Sequence, residues 1–385
     1  MTNRSRQPLG YIKSGVVALG LIAVTVGCQG PRALQGSFIG YSAAYAEISN
    51  EQMLLNLARS ANSHPVYFLQ MGPINSTFQF GANGGGNIGQ ARTRASGGAA
   101  AQMPGLTDTV NFGGQLGATV GEQPSFNFTP LNGSSFAAAV FNPIDPKIFF
   151  NLYDQGWPVD QLLRTMVSTL SIPEKGGLRT FMNVLDLERP QNYRNFLTIA
   201  GIARELQKRH LLFSSTNHTG FVVAEAGYKL MEELQKDEAF RYESDPNDFT
   251  PLDSATLGIS KAAGISLGLR TFQGVITALA NESEAFDYFV AEEGDKFLGQ
   301  IPTAERRPIL RITPDKTRKM EPPVVSITYR GQHYVIADVI VDNPATKWVE
   351  VDRWNRQVFD LLNLLYVQIA LDPSKLPVQQ LIQIH

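Results

Sequence analysis

Two periodicities alternate along this chain, and each change of spacing predicts a change of element. From Tyr41 to Ala61 the apolar residues Ala44, Ile48, Leu54, Leu55, Leu57 and Ala58 fall at helical spacing, which predicts a helix that ends before Pro65. Val66 to Met71 reads as a short apolar strand or turn. From Gly72 to Gly121 the texture shifts to Gly, Ala, Asn, Ser and Thr, with Arg92, Arg94 and Asp108 as the only charged side chains. Two arms there alternate with a period of two. In the first, Ile74, Phe78, Phe80 and Ala82 share one face opposite Asn75, Thr77, Gln79 and Asn83, and Ser76 interrupts the apolar side. In the second, Val110, Phe112, Leu116, Ala118 and Val120 lie opposite Thr109, Asn111, Gly113, Gln115, Gly117 and Thr119. Such alternation predicts an amphipathic β-hairpin, with 84–107 as its flexible loop and Phe126 and Phe128 prolonging the pattern beyond Pro124.

After Gly133 helical spacing returns. Ser134 or Ser135 is placed to cap a helix through Phe141, Asp145 and Pro146 to start a second, and Pro158 to open a third that reaches Leu170. Pro190 to His210 is strongly amphipathic, with Phe196, Ile199, Ile202, Ala203 and Leu206 inward, and Ala224 to Asp237 is a further helix. Pro246 to Leu252 reads as a loop, Ile265 to Leu269 as a strand, and Thr271 to Leu279 as a helix. Val324 to Tyr329 and His333 to Val341 form a predicted hairpin turning at Arg330, Gly331 and Gln332. A helix over Asp352 to Leu371 and a strand over Val378 to Ile384 complete the chain. Helices and strands mix without a repeating βα rhythm, so the expected class is α+β, with antiparallel strands and a Gly-rich amphipathic β-hairpin insertion. The tetrapeptide Phe128-Thr129-Pro130-Leu131 returns as Phe249-Thr250-Pro251-Leu252, too short an echo to define a repeat.

The first 27 residues follow another logic. Arg4, Arg6 and Lys13 make a positive n-region, and residues 14–26 are uncharged and mostly apolar. That run is short for a membrane span of about 20 residues and suits the h-region of an export signal. Gly27 and the only cysteine of the chain, Cys28, follow directly. The arrangement resembles a lipobox, in which a small residue precedes an obligatory cysteine. Cleavage would fall between Gly27 and Cys28, and the Cys28 thiol would carry the lipid. Thr25 departs from the Leu usual three residues before that cysteine. Gln29 takes the place where an Asp would favour retention at the inner membrane, so by this resemblance the destination is the outer membrane. The expected organisation is then a signal peptide over 1–27, a tether over 28–40 and one α+β body over 41–385 that includes the hairpin segment 72–130.

Charge and composition narrow the chemistry. The net charge of −2 becomes −5 once residues 1–27 are removed, leaving 30 basic against 35 acidic residues, so no basic footprint for nucleic acid is present. A single cysteine rules out an internal disulfide framework. His64, His210, His218, His333 and His385 form no HExxH pattern, and no metal or cofactor is expected. Gly84 to Gly86 lack the Lys-Ser or Lys-Thr pair of a phosphate loop. Glu232-Glu233 and Glu292-Glu293 are neighbours on helices, where adjacent side chains diverge, so they read as solvated faces. Gly264-Ile265-Ser266-Leu267-Gly268 matches GxSxG, and His333 lies downstream as a nominal partner. A nucleophile elbow requires the serine on a sharp turn between strand and helix, whereas Ser266 falls inside a predicted strand. No catalytic residue is therefore assigned, and a serine hydrolase is the least favoured reading.

The alternating arms have the length, apolar face and low charge of membrane strands, about 9–11 residues each. A hairpin cannot close a barrel alone, so that reading requires several copies in a ring, as an outer-membrane channel or export component. Four stretches resemble a family of uncharacterised envelope lipoproteins of Gram-negative bacteria: Met53 to Ile74 (MLLNLARSANSHPVYFLQMGPI), Phe128 to Ala137 (FTPLNGSSFA), Gly156 to Leu163 (GWPVDQLL) and Tyr329 to Ile336 (YRGQHYVI). The resemblance implies an envelope location and an extended α+β body, and it brings no activity. The sequence thus leads to a lipid-anchored, non-catalytic structural or interaction protein. Its partners would be membrane lipid through Cys28 and either further copies of itself or another envelope protein.

Overall fold

The protein is described from a computed structural model covering residues 30–72, 75–83, 108–112, 116–125, 128–131, 134–174, 177–186, 189–216, 218, 220–241, 249–251, 265–315, 317–342 and 349–370. Its fold is α+β, and every strand pairing among the described residues is antiparallel. The body expected as one resolves into two compact units, residues 67–137 and the two flanking parts of the chain, 1–66 with 138–385. The strand expected over Val378 to Ile384 lies outside the described residues.

Helix α1 (Gly30–Ala61) begins well ahead of the expected Tyr41, so the segment read as a tether is helical from Gly30 onward. Pro31 is tolerated there because the first turn has no intrahelical use for its missing N–H. Ahead of the expected start, Phe38, Ile39 and Gly40 are exposed, whereas Tyr41, Ala44 and Ile48, at helical spacing, are half-buried. Burial starts at Met53 and continues with Leu54, Asn56, Leu57 and Ala58. The helix closes at Ser63, whose φ of 56° is left-handed. His64 N–H reaches Arg59 O at 2.8 Å and Ser63 N–H reaches Ser60 O at 3.0 Å, which satisfies the terminal carbonyls ahead of Pro65.

The inserted unit is built on strands β1 (Leu69–Met71), β2 (Asn75–Asn83), β3 (Asp108–Phe112), β4 (Leu116–Ser125) and β5 (Phe128–Pro130). β1 pairs with β5, and the other three form a sheet in the order β2-β4-β3. The expected two-armed hairpin is corrected here. The second arm is not one strand but two, folded back on each other so that Phe112 pairs with Leu116 and Val110 with Ala118. Residues 113–115, between the two strands, lie outside the described residues, and the alternation of the sequence runs across them unbroken. Register still gathers the apolar residues: Phe80 pairs with Val120, Ala82 with Ala118, and Val110 with Ala118 from the other side. Pro124, opposite Ser76 of β2, lies past the end of β3, so on that side the central strand has become an edge. Helix α2 (Ser134–Phe141) begins at the expected serine.

The flanking unit opens with α3 (Pro146–Asp154), whose cap Asp145 accepts the Lys147 N–H at 2.9 Å with Pro146 in the first turn, as the sequence predicts. Helix α4 (Val159–Met166) gives way at Val167 to β6 (Val167–Glu174), four residues before the expected end of that helix. The reason is a double cap. Asn183 Nδ2 donates to the carbonyls of Arg164 and Val167 at 2.8 Å, and Arg270 donates to those of Arg164, Thr165 and Asn183. β6 pairs with β7 (Gly177–Met182). Helix α5 (Pro190–Lys208) follows, with Phe196, Ile199, Ile202, Ala203 and Leu206 buried as expected. The β8 (Leu212–Ser214) and β9 (Phe221–Val223) hairpin packs Phe221 edge-on against Phe149, Phe150 and Tyr153 of α3, with ring centroids 5.0–5.9 Å apart. Helix α6 (Glu225–Leu234) comes next.

Part of the expected loop over Pro246 to Leu252 is strand β10 (Phe249–Pro251), bound to β7 at the sheet edge. The repeated Phe-Thr-Pro therefore does the same work twice, as β5 and as β10, each a three-residue strand at an edge that tolerates proline. β11 (Ser266–Leu269) completes the sheet β10-β7-β6-β11. Helix α7 (Phe272–Gly299) runs far beyond the expected Leu279 and is interrupted only at Gly294, with φ 63°. The polar run Asn281 to Glu284 looks like a helix end, yet Ser283 is buried, and Phe286 and Phe289 join Tyr193, Leu197 and Ile301 in the core. The hairpin β12 (Val325–Tyr329) and β13 (Gln332–Ile336) turns at Arg330 and Gly331, both at positive φ, where the sequence places it. The second arm ends at Ile336. Val339 onward forms a separate pair, β14 (Val339–Asp342) with β15 (Val349–Asp352), before α8 (Trp354–Ala370).

Candidate functional site

Gly27 and Cys28 lie outside the described residues, three and two positions ahead of the first residue of α1. Ser266 is described, and its surroundings are those of a strand. It pairs with Ser171 across β6, Leu267 pairs with Leu170, and Gly268 with Thr169. No turn breaks the backbone at Ser266, so the strand-turn-helix elbow is missing. Gly268 has a packing reason of its own: a Cβ there would stand 2.1 Å from Thr169 Oγ1.

The histidines go separate ways. His64 meets the Tyr329 hydroxyl through Nδ1 at 2.7 Å and Arg330 Nη1 through Nε2 at 3.0 Å. His210 closes α5 at φ 55°, and Leu211 N–H reaches back to Leu206 O at 2.9 Å. His218 lies 3.8 Å from Asp154. His333 pairs with Thr328 in the β12–β13 hairpin, and His385 is outside the described residues. Among the described residues no three of His, Cys, Asp and Glu gather as a metal site. Glu232, Glu233 and Glu292 are exposed, as solvated faces should be.

The densest chemistry was not singled out by the sequence. All eight residues of α4 are buried, Asp160, Gln161, Arg164 and Thr165 among them. Arg164 Nη1 donates to Glu305 Oε2 at 3.0 Å, and Nη2 donates to Glu282 Oε1 at 3.3 Å and to Arg307 O at 2.7 Å. Glu282 also accepts from the Tyr193 hydroxyl and from Ile309 N–H. Arg307 pairs with Asp352, and its guanidinium carbon sits 4.5 Å from the Trp354 ring centroid. Trp354 Nε1 donates to Ile309 O at 2.8 Å. One guanidinium is thus enclosed by two carboxylates and a phenol drawn from α4, α5, α7 and the 302–309 segment.

Burial and charge act in opposite directions on these groups. Burial works against the Arg164 charge, but Tyr193, Glu282 and Glu305 outweigh it and hold the guanidinium above its ordinary value. Tyr193 is raised well above the usual phenol range by burial and by Glu282. Burial pushes Glu305 up to about 7 against the pull of Arg164. Burial also brings Arg270 down to about 10. Glu305 retains no exposed surface, so this carboxyl is out of reach of a substrate.

Beside the network lies an open cleft of about 410 Å³, lined by Asp160, Arg204, Lys208, Arg307, Asp352 and Arg353 among others. Its charges are mostly spent on one another or on close neighbours: Arg204 is 3.7 Å from Asp160, Arg307 pairs with Asp352, and Lys208 reaches Glu205 at 2.7 Å. Among the described residues, no Ser, Thr, Cys or His lines it. The arrangement braces helices and offers polar contacts, without a nucleophile. The one sequence signal for this network is Asp160 and Arg164 set four apart among Leu162, Leu163 and Met166. The partners, 118 and 141 positions downstream, carry no local mark. No protein family, curated protein or solved structure matches the chain.

Proposed function

We propose that this chain is a lipid-anchored cell-envelope protein of the outer membrane, held by an acylated Cys28 and acting through interaction rather than catalysis. One observation carries the reading: a basic n-region, an uncharged 14–26 run and the sole cysteine stand immediately ahead of a 32-residue helix whose far end is built into the body. Among the described residues no helix is long and apolar enough to cross a membrane; acyl chains on Cys28 would supply an attachment of their own. Replacing Cys28 with Ser tests it. The wild-type N-terminal peptide should carry the mass of a lipidated cysteine and fractionate with the outer membrane. The variant should be soluble or unprocessed. A normally processed, membrane-bound Cys28→Ser protein overturns the reading.

A second reading is favoured by β2 and β4, nine and ten residues long and paired so that Phe78, Phe80, Ala82, Ala118 and Val120 share a face, with Glu122 opposite Phe78 as its charged member. Strands of that length suit an oligomeric outer-membrane channel in which each copy donates its sheet. Particle size in detergent decides: a closed ring of many copies supports this assembly, and a monomer that conducts nothing in planar bilayers removes it.

A further inference from the structure

We propose that residues 38–46 of α1 make a second, non-covalent membrane contact, lying in the interfacial layer beside the acyl chains of Cys28; this rests on the lipid-anchor reading. No charged residue occurs between Arg32 and Glu47. Within that stretch Phe38 and Ile39 expose 68% and 62% of their surface, and Tyr45 exposes 48%. The docked end of the same helix, from Met53 onward, shows the opposite pattern of buried apolar residues.

A helix in water draws most of its stability from a packed face; in this stretch Tyr41 and Ala44 are only half-buried, while Phe38, Ile39 and Tyr45 on the remaining surface are exposed. Its composition offers no substitute. Gly36 and Gly40 are poor helix formers, and there are no charges to pair along the surface. The stretch therefore calls for an apolar partner outside the body. Position names that partner. The helix starts two residues after Cys28, and at 1.5 Å per residue Ile39 is only about 14 Å from its start. An acylated Cys28 sits at headgroup depth, so these are the first side chains the bilayer meets. A tyrosine with an apolar ring and a polar tip, here the exposed Tyr45, suits that layer. Glu47 and Glu51 mark where the helix leaves it.

Spin labels test the contact in the natively lipidated full mature chain, where acylation leaves no other thiol. Phe38→Cys, Ile39→Cys and, as an aqueous control, Glu51→Cys would be labelled and reconstituted in phosphatidylethanolamine–phosphatidylglycerol vesicles. Collisions with oxygen and with a water-soluble nickel complex would then be compared. Labels at 38 and 39 that are open to oxygen and closed to nickel, with the reverse at 51, are expected. Nickel access at 38 and 39 overturns the proposal, and so does closure to both reagents, which would mean that residues 371–385 or a partner protein covers the face. The N-terminal peptide mass from the same sample separates the two readings. A Cys28 that takes the label itself overturns the anchor and this contact together, whereas an acylated Cys28 with nickel-accessible labels overturns the contact alone.

Discussion

Arg164 Nη1 and Glu305 Oε2 stand 3.0 Å apart with 1% and 0% of their side chains exposed. The pair ties the middle of a buried helix to the turn at 303–305, and through Glu282 to α7. Removing one member of a buried ion pair leaves the other uncompensated, at a cost of about 3–5 kcal/mol. Arg164→Met should therefore lower the urea midpoint sharply. Arg189→Ala breaks a pair with Asp186 that is 61% and 35% exposed, and should change stability by no more than about 1 kcal/mol. Equal midpoints for the two variants would show that the network does not brace the fold.

The same carboxyl gives stability a pH dependence of known sign. The Glu305 pKa is raised by burial to about 7 in the folded chain, from about 4.3 for an unperturbed glutamate. Between those values the folded state holds a proton that the unfolded state releases. Its contribution to stability is complete below about pH 4.3 and declines as pH rises through about 7. Glu305→Gln keeps an acceptor for Arg164 and cannot titrate. Urea midpoints measured from acidic to neutral pH should fall more steeply for the wild type than for this variant. Parallel profiles would place the titration elsewhere.

Gly268 separates the two explanations of the GxSxG pattern. Its missing Cβ leaves room for Thr169 Oγ1, which would lie 2.1 Å away. Gly268→Ala must displace Thr169 Oγ1, by a rotamer change or a shift of β11 from β6, and should cost about 1–3 kcal/mol in thermal or urea unfolding. Ser266→Ala, at an exposed strand position, should be near-neutral and should leave hydrolysis of general esterase substrates at the background rate. Hydrolysis that disappears with Ser266→Ala would reinstate the hydrolase reading.

What was legible in the sequence follows from how local each signal is. The Asp145-Pro146 cap, the Arg330-Gly331 turn and the buried stripe of α5 depend on neighbours within a few residues, and they appear where expected. The end of α4 does not. It is decided by Asn183 and Arg270, whose side chains cap it from 16–20 and about 105 positions away. Residues 30–40 of α1 went unread for the opposite reason: Phe38, Ile39 and Gly40 are exposed, and a helix segment without a buried stripe has no periodicity to detect. Likewise, Arg164 announces nothing until Glu282 and Glu305 are brought to it by the fold.

Two left-handed residues allow a test with opposite signs. Ser63 ends α1 at φ 56°, a conformation that costs a residue with a side chain about 1–2 kcal/mol and glycine almost nothing. Glycine returns part of that gain through the greater freedom of its unfolded chain, about 0.4–1 kcal/mol. Ser63→Gly should therefore stabilise the protein by about 0.5–1 kcal/mol, with the 2.8 Å His64 to Arg59 bond unchanged. Gly331 makes the reverse case at φ 81° in the β12–β13 turn, with open space where a Cβ would go. Gly331→Ala should destabilise through backbone strain alone. Melting temperatures of the two variants should move apart from the wild type in opposite directions. A shift of both in the same direction would mean that side-chain contacts, rather than backbone conformation, govern these two termini.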